Sequence, residues 1–208
     1  MAAKDNAYKA INRISETHYF LKLAIVSRLK DFRIPYGIKH LANNKSTYYE
    51  YWTESFGDRF YDIGTLVRLG SEIEGGLKYY YMEKKGLSNL VDLKNDPRYE
   101  MNIFQRLMPW TQKNAIALFQ DCLHYDLTSN TNFSKIQELM LLRHLYAHNN
   151  GLLNEKFLDD FKRLTGQDIE STLDPNLNYP QQDTYYFKPL KNLNEYIEAA
   201  KKFFTNLP

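Results

Sequence analysis

Apolar residues in this chain recur at three- and four-residue intervals and almost never at alternate positions, and this restricts the fold to packed helices. Ala7, Ile11, Ile14, Leu21, Ile25 and Leu29 keep that spacing through residues 4–30, as one face of a helix does. Residues 57–85 predict a second long helix. At about 100° per residue, Phe60, Ile63, Val67, Leu77 and Tyr81 share one face, with Glu74 in its middle. Gly64, Gly70, Gly75 and Gly76 interrupt this helix. Each costs about 1 kcal/mol against alanine, so they point to close approach of another helix or to a kink.

The remaining segments read as shorter helices and connectors. Pro35, Gly37 and Asn43-Asn44 mark a connector, and the aromatic stretch Tyr48 to Phe56 is either a short helix or a packed loop. Gly86 to Tyr99 is polar and reads as loop; a short helix precedes Pro109, and Thr111 is the expected cap of the next. The run 128–132 reads as loop. Ser134 with Gln137 reads as a capping box opening a helix that runs to His148 and stops at Asn149-Asn150-Gly151. Asn154 caps a helix to Leu164, ended by Gly166. Residues 171–190 are an irregular connector with a possible strand at Tyr185-Tyr186-Phe187. Asn192 with Glu195 opens the last helix, striped by Tyr196, Ile197, Ala200, Phe203 and Phe204. The expected fold is an all-α helical bundle with long irregular connectors, one domain over residues 1–208.

Composition removes several function classes. A net charge of +2 is too small for bulk electrostatics to imply nucleic-acid binding, so such a claim needs a local site. The single cysteine, Cys122, rules out an internal disulfide framework and reads as a small core residue of a protein in a reducing cytosol. The opening MAAKDNAYKA has no apolar signal core, and no run reaches about 18 apolar residues. A cytoplasmic, unanchored protein is expected. Nucleotide-binding glycine loops and the GxSxG elbow are missing from the sequence.

The informative segment is Ile136 to His148. Ile136, Leu139, Met140 and Ala147 lie on one side of the wheel, and Leu141, Leu142 and Leu145 cover most of the rest. A helix apolar all round is surrounded by protein, one face meeting the bundle core and the other a second subunit. Into it the sequence sets Arg143, His144 and His148. The two histidines are one turn apart, and a charged Arg in such a place needs a partner, for which Glu74 is the candidate. Spacing alone does not select this segment. Arg13 to His18 has the same spacing on an ordinary amphipathic helix, and Arg33 to His40 spans Pro35 and Gly37.

Arg143-His144-Leu145-Tyr146-Ala147-His148-Asn149-Asn150-Gly151 resembles the HEPN superfamily, the higher eukaryotes and prokaryotes nucleotide-binding domains. Its members carry Arg, a polar residue, a few further residues and His late in a helical bundle. The position after the Arg is commonly Asn there and is His144 here. The resemblance implies a metal-independent endoribonuclease that dimerises so that two motifs face one cleft. It also implies a toxin or anti-phage role with a possible cognate antitoxin, RNA as substrate, 2′,3′-cyclic phosphate and 5′-OH products, and no cofactor. Arg143 and His148 would be the catalytic pair, with His144, Asn149 and Glu74 in support.

The residue chemistry is compatible with that reading. RNA carries its own nucleophile in the 2′-OH, so the protein must supply a proton shuttle, for which an imidazole is suited near neutral pH, and a cation for the phosphorane charge. On one regular helix Arg143 and His148 stand about 140° and roughly 7.5 Å of rise apart. Either the helix ends at His148 and the ring swings back, or each residue works with its mate on a second subunit. Three alternatives stay open: a metal site using the His144/His148 pair, although no HExxH is present; a non-catalytic nucleotide- or RNA-binding module; and a structural interaction bundle.

Overall fold

The computed structural model describes residues 3–31, 57–149, 154–167 and 193–208, and among them every regular element is helical. The order is α1 (Ala3–Asp31), α2 (Gly57–Lys85), α3 (Leu90–Lys94), a 3-10 turn (Ile103–Gln105), α4 (Ala115–Leu123), a second 3-10 turn (Leu127–Ser129), α5 (Phe133–Asn149), α6 (Glu155–Thr165) and α7 (Leu193–Thr205). The all-α bundle expected from the periodicity is the observed architecture. The stretches Pro35–Asn44, Tyr48–Phe56 and 171–190 lie outside the described residues, as do the Arg33/His40 pair, the Asn150-Gly151 stop and the Asn192 start.

Helices α1 and α2 run antiparallel. Ala3 N donates to Glu83, and Tyr61 Oη donates to the carbonyls of Thr17 and His18 at 3.3 Å. The buried face of α2 is Leu66, Leu69, Ile73, Leu77, Tyr80 and Tyr81. That is a shift from the predicted stripe, since Ile63 and Val67 are only half-buried. Two of the four glycines do mark close approaches. A Cβ on Gly76 would lie 2.5 Å from Phe204 and 2.7 Å from Ala7, which lets α1, α2 and α7 meet; one on Gly70 would lie 2.7 Å from Arg143 Cγ. Gly64 and Gly75 have nothing within 4 Å.

Helix α5 passes through the middle, packed against α2, α6 and α7. Phe203 and Phe204 of α7 are fully buried, and truncating either to alanine would cost about 3–5 kcal/mol. Asn130 Nδ2 donates to the Phe203 carbonyl at 3.1 Å and Tyr196 Oη donates to Glu138 at 2.6 Å, fastening α7 to α5 and the turn before it.

Helix starts differ from the sequence reading in three places. Residues 86–99 hold a five-residue helix, α3, because Asn89 accepts from the amides of Val91 and Asp92. Helix α4 is capped by Asn114, whose side chain accepts from Ala117 N, not by Thr111. Helix α5 begins at Phe133, so Ser134 lies inside it. Gln137 does not close a capping box: its amide donates to the Leu107 carbonyl at 2.7 Å and pins the 103–114 connector onto α5. The Asn154 and Gly166 caps of α6 are as expected, Gly166 adopting a left-handed φ of 71°.

Candidate functional site

Around the α5 axis, Arg143, Ala147, His144 and His148 fall at about 0°, 40°, 100° and 140°, a continuous stripe. Ala147, His144 and His148 are exposed and Arg143 is half-buried. Their neighbours Leu141, Leu142, Leu145 and Tyr146 are at most 8 % exposed. The helix expected to be enclosed on every side is therefore open along one stripe in its last turns. The reason lies in its neighbours: α2 and α6 flank this end without covering the arc between them.

Arg143 reaches back over α2. Its stem crosses Gly70, where any side chain would collide with Cγ, and its side chain is 13 % exposed. Nη2 stands 3.8 Å from Glu74 Oε2, an ion pair longer than a hydrogen bond. The same carboxylate oxygen accepts from Gln105 Nε2 at 2.9 Å. Arg143 Nε is buried and has no hydrogen-bond partner among the described residues. The Glu74 partnership read from the sequence is thus present as a loose contact, and one guanidinium donor, Nε, is left unmatched. Gln105 was not singled out in the sequence, because a lone Gln in a connector carries no periodic signal.

The imidazoles of His144 and His148 lie 4.7 Å apart, centroid to centroid, tilted by 49°. Burial, then the charges of His148, Lys156 and Arg143, hold the His144 pKa below its ordinary 6.5, against an opposing pull from Asp160. His144 is open to solvent, yet the packing beneath it desolvates the ring enough to favour the neutral form. It also edges a groove of about 360 Å³ between α5, the 102–111 connector and the first turn of α6. Asn149 ends α5, and its side chain lies outside the described residues. Arg143 and His148 belong to one continuous helix, so they flank the stripe from opposite edges.

Metal ligation needs more donors than the stripe collects. Among the described residues no three His, Cys, Asp or Glu side chains gather as a metal site would require. Cys122 is half-buried against the core.

A second polar cluster was passed over in the sequence. His18 and Asp62 are 9 % and 2 % exposed. His18 Nε2 lies 3.3 Å from Asp62 Oδ1, and Lys22 Nζ lies 3.4 Å from both carboxylate oxygens. Thr65 Oγ1 donates to the Tyr61 carbonyl at 3.1 Å, which leaves its lone pairs to the His18 Nδ1 at 2.9 Å. Both ring nitrogens therefore face oxygen atoms, and the ring stacks on Tyr61 at 5.0 Å. These contacts join α1 to α2. A cleft of about 740 Å³ borders the cluster, and one of about 680 Å³ lies between α1, α2 and the turn after Lys85. Both are larger than the groove at His144, but neither touches the α5 stripe.

No transmembrane candidate occurs among the described residues: no helix is long and apolar enough to cross a membrane. No family model, curated protein or solved structure matches this chain.

Proposed function

We propose that this chain is a metal-independent endoribonuclease of the HEPN type, acting in the cytoplasm as a toxin or defence effector. The observation that carries the reading is the stripe itself. A largely buried guanidinium with an unpaired Nε and two imidazoles share the exposed stripe in the last turns of a mostly buried helix.

In the proposed reaction the 2′-oxygen attacks the adjacent phosphorus, the bond from phosphorus to the 5′-oxygen breaks, and a 2′,3′-cyclic phosphate and a 5′-OH result. His148 moves the proton between the attacking and leaving oxygens. Arg143 donates to the phosphorane oxygens, where charge grows most in the transition state. His144, kept toward its neutral form, accepts a hydrogen bond beside His148 and orients it. Glu74 and Gln105 set the guanidinium without saturating it. Because Arg143 and His148 stand at opposite edges of the stripe, the reading calls for two copies placing their stripes across one cleft, each phosphate meeting an Arg from one copy and a His from the other.

The test incubates purified protein with total RNA in EDTA beside His148→Ala and Arg143→Ala variants, with circular dichroism to confirm their fold. Chelator-resistant cleavage that both variants lose supports the reading; cleavage that survives both changes refutes the site. One observation favours a second reading, a non-catalytic nucleotide- or RNA-binding module: the guanidinium already has Glu74 beside it and only 13 % exposure. On that reading wild-type protein binds RNA and leaves it intact.

A further inference from the structure

The groove beside His144 is built differently from the two clefts that border α1. Its floor is apolar: Met108, Met140, Leu141, Leu145 and Phe157 line it, none more than 8 % exposed. Its rim is polar and net cationic, with Arg106 and Thr111 half-buried and His144 and Lys156 exposed, against the single acid Asp160. Asp160 is already engaged, accepting from Trp110 Nε1 at 2.8 Å, and Arg106 shares Glu100 at 3.1 Å. The groove is also tied to the stripe at two points. Gln105 lines it and donates to the carboxylate that faces Arg143. His144 forms its edge, one turn from His148.

An apolar floor under hydrogen-bonding edges and cations is what an unstacked nucleobase requires: its faces pack, its edge pairs and its phosphate finds positive charge. A volume of about 360 Å³ sits at the small end of ligand sites, enough for one nucleoside and too small for a base-paired stem. We propose that this groove seats one base of single-stranded RNA, so that the phosphodiester next to that base lies over His144 and His148 and the groove sets which base precedes or follows the cut. This rests on the ribonuclease reading, and it adds a specificity site that none of the motif residues provides.

The experiment measures binding separately from cleavage. Fluorescein-labelled, fully 2′-O-methylated hexamers of A, C, G and U cannot be cut, and anisotropy reports their affinity. Wild-type protein is expected to prefer one base over the others by about fivefold or more. Thr111→Tyr, which fills the groove from its rim, is expected to weaken the preferred hexamer by about tenfold and to erase the preference. Lys156→Glu weakens all four hexamers together, because it removes a phosphate contact and not an edge contact. Equal affinity for the four hexamers in wild type, or a preference that survives in folded Thr111→Tyr, overturns the groove assignment. Base-selective binding without any cleavage of unmodified RNA sinks catalysis alone, whereas cleavage at unchanged sites by Thr111→Tyr sinks the groove alone.

Discussion

Arg13/His18 and Arg143/His148 have the same spacing in sequence and opposite arrangements in space. On α1 the Arg is exposed and the His is buried, its ring nitrogens facing Thr65 and Asp62. On α5 the Arg is mostly buried with a donor unused, and the His is exposed beside a second imidazole. A buried His whose nitrogens both face acceptors has its proton positions fixed and serves as a joint between helices. An exposed His beside a recessed, incompletely satisfied cation can exchange protons with something that arrives from solvent. Burial and satisfaction, not spacing, separate the clamp from the candidate site.

The largest effect that separates the two clusters is on rate. His148→Ala is expected to lower RNA cleavage by about 10²–10⁴-fold, the usual loss when a proton shuttle is removed, while its unfolding free energy stays within about 0.5 kcal/mol of wild type because the ring is exposed. If His18→Ala, still folded by circular dichroism, loses cleavage instead, the roles of the two clusters are reversed.

Next in size is stability at the clamp. Asp62→Ala leaves the Lys22 cation and the His18 ring without their carboxylate in a site 2 % exposed, and about 3 kcal/mol of stability should go with it. Urea unfolding would show this as a lower midpoint at unchanged slope. A change under about 1 kcal/mol would mean that the cluster is no clamp, since losing an exposed pair costs no more than that.

Much of this is legible in the sequence. The all-helical fold follows from the 3.6-residue spacing, and the α6 caps from Asn154 and Gly166, because these signals are local. Glu74 was found because a carboxylate in an apolar stripe demands a partner. The same logic applies to Asp62, four residues before Leu66 on the buried face of α2, and to His18, four residues after Ile14 on α1. Both are legible in principle, but the stripe predicted for α2 lies about one residue off the observed buried face and so hides them. The α4 and α5 starts were misread because Thr111 and Ser134 satisfy cap rules locally, while Asn114 and the long-range bond from Gln137 to Leu107 decide the outcome. The open stripe could not be read at all: it depends on where α2 and α6 stop covering α5, which is a property of packing.

A smaller effect tests whether Arg143 is held by its passage over α2. Gly70→Ala gains helix propensity but drives a Cβ to 2.7 Å from Arg143 Cγ, mid-stem, where the side chain has little room to yield. A net loss of about 1 kcal/mol is expected, with weaker cleavage as the guanidinium shifts. Gly75→Ala, with open space at its Cβ, should instead gain about 0.5–1 kcal/mol and leave cleavage alone. In an Arg143→Ala background most of the Gly70→Ala penalty should vanish, because the two substitutions share one contact. Equal penalties in both backgrounds would show that something other than Arg143 occupies that space.

The smallest effect concerns protons on the stripe. Burial and the neighbouring His148, Lys156 and Arg143 charges lower the folded-state pKa of His144 below 6.5. Between that lowered value and 6.5 the unfolded chain binds more protons at this position than the folded chain does. Stability from His144 is therefore complete above about pH 6.5 and is lost as pH falls through that window. Because the ring is solvent-exposed, screening keeps the loss below about 1 kcal/mol. The useful quantity is the difference between wild type and His144→Gln, in which the contributions of groups remote from the stripe cancel. That difference should rise as pH climbs to about 6.5 and then level off. A difference that falls with pH would mean the folded protein favours the His144 imidazolium, and the exposed stripe would then hold two competing cations instead of a neutral ring beside a proton shuttle.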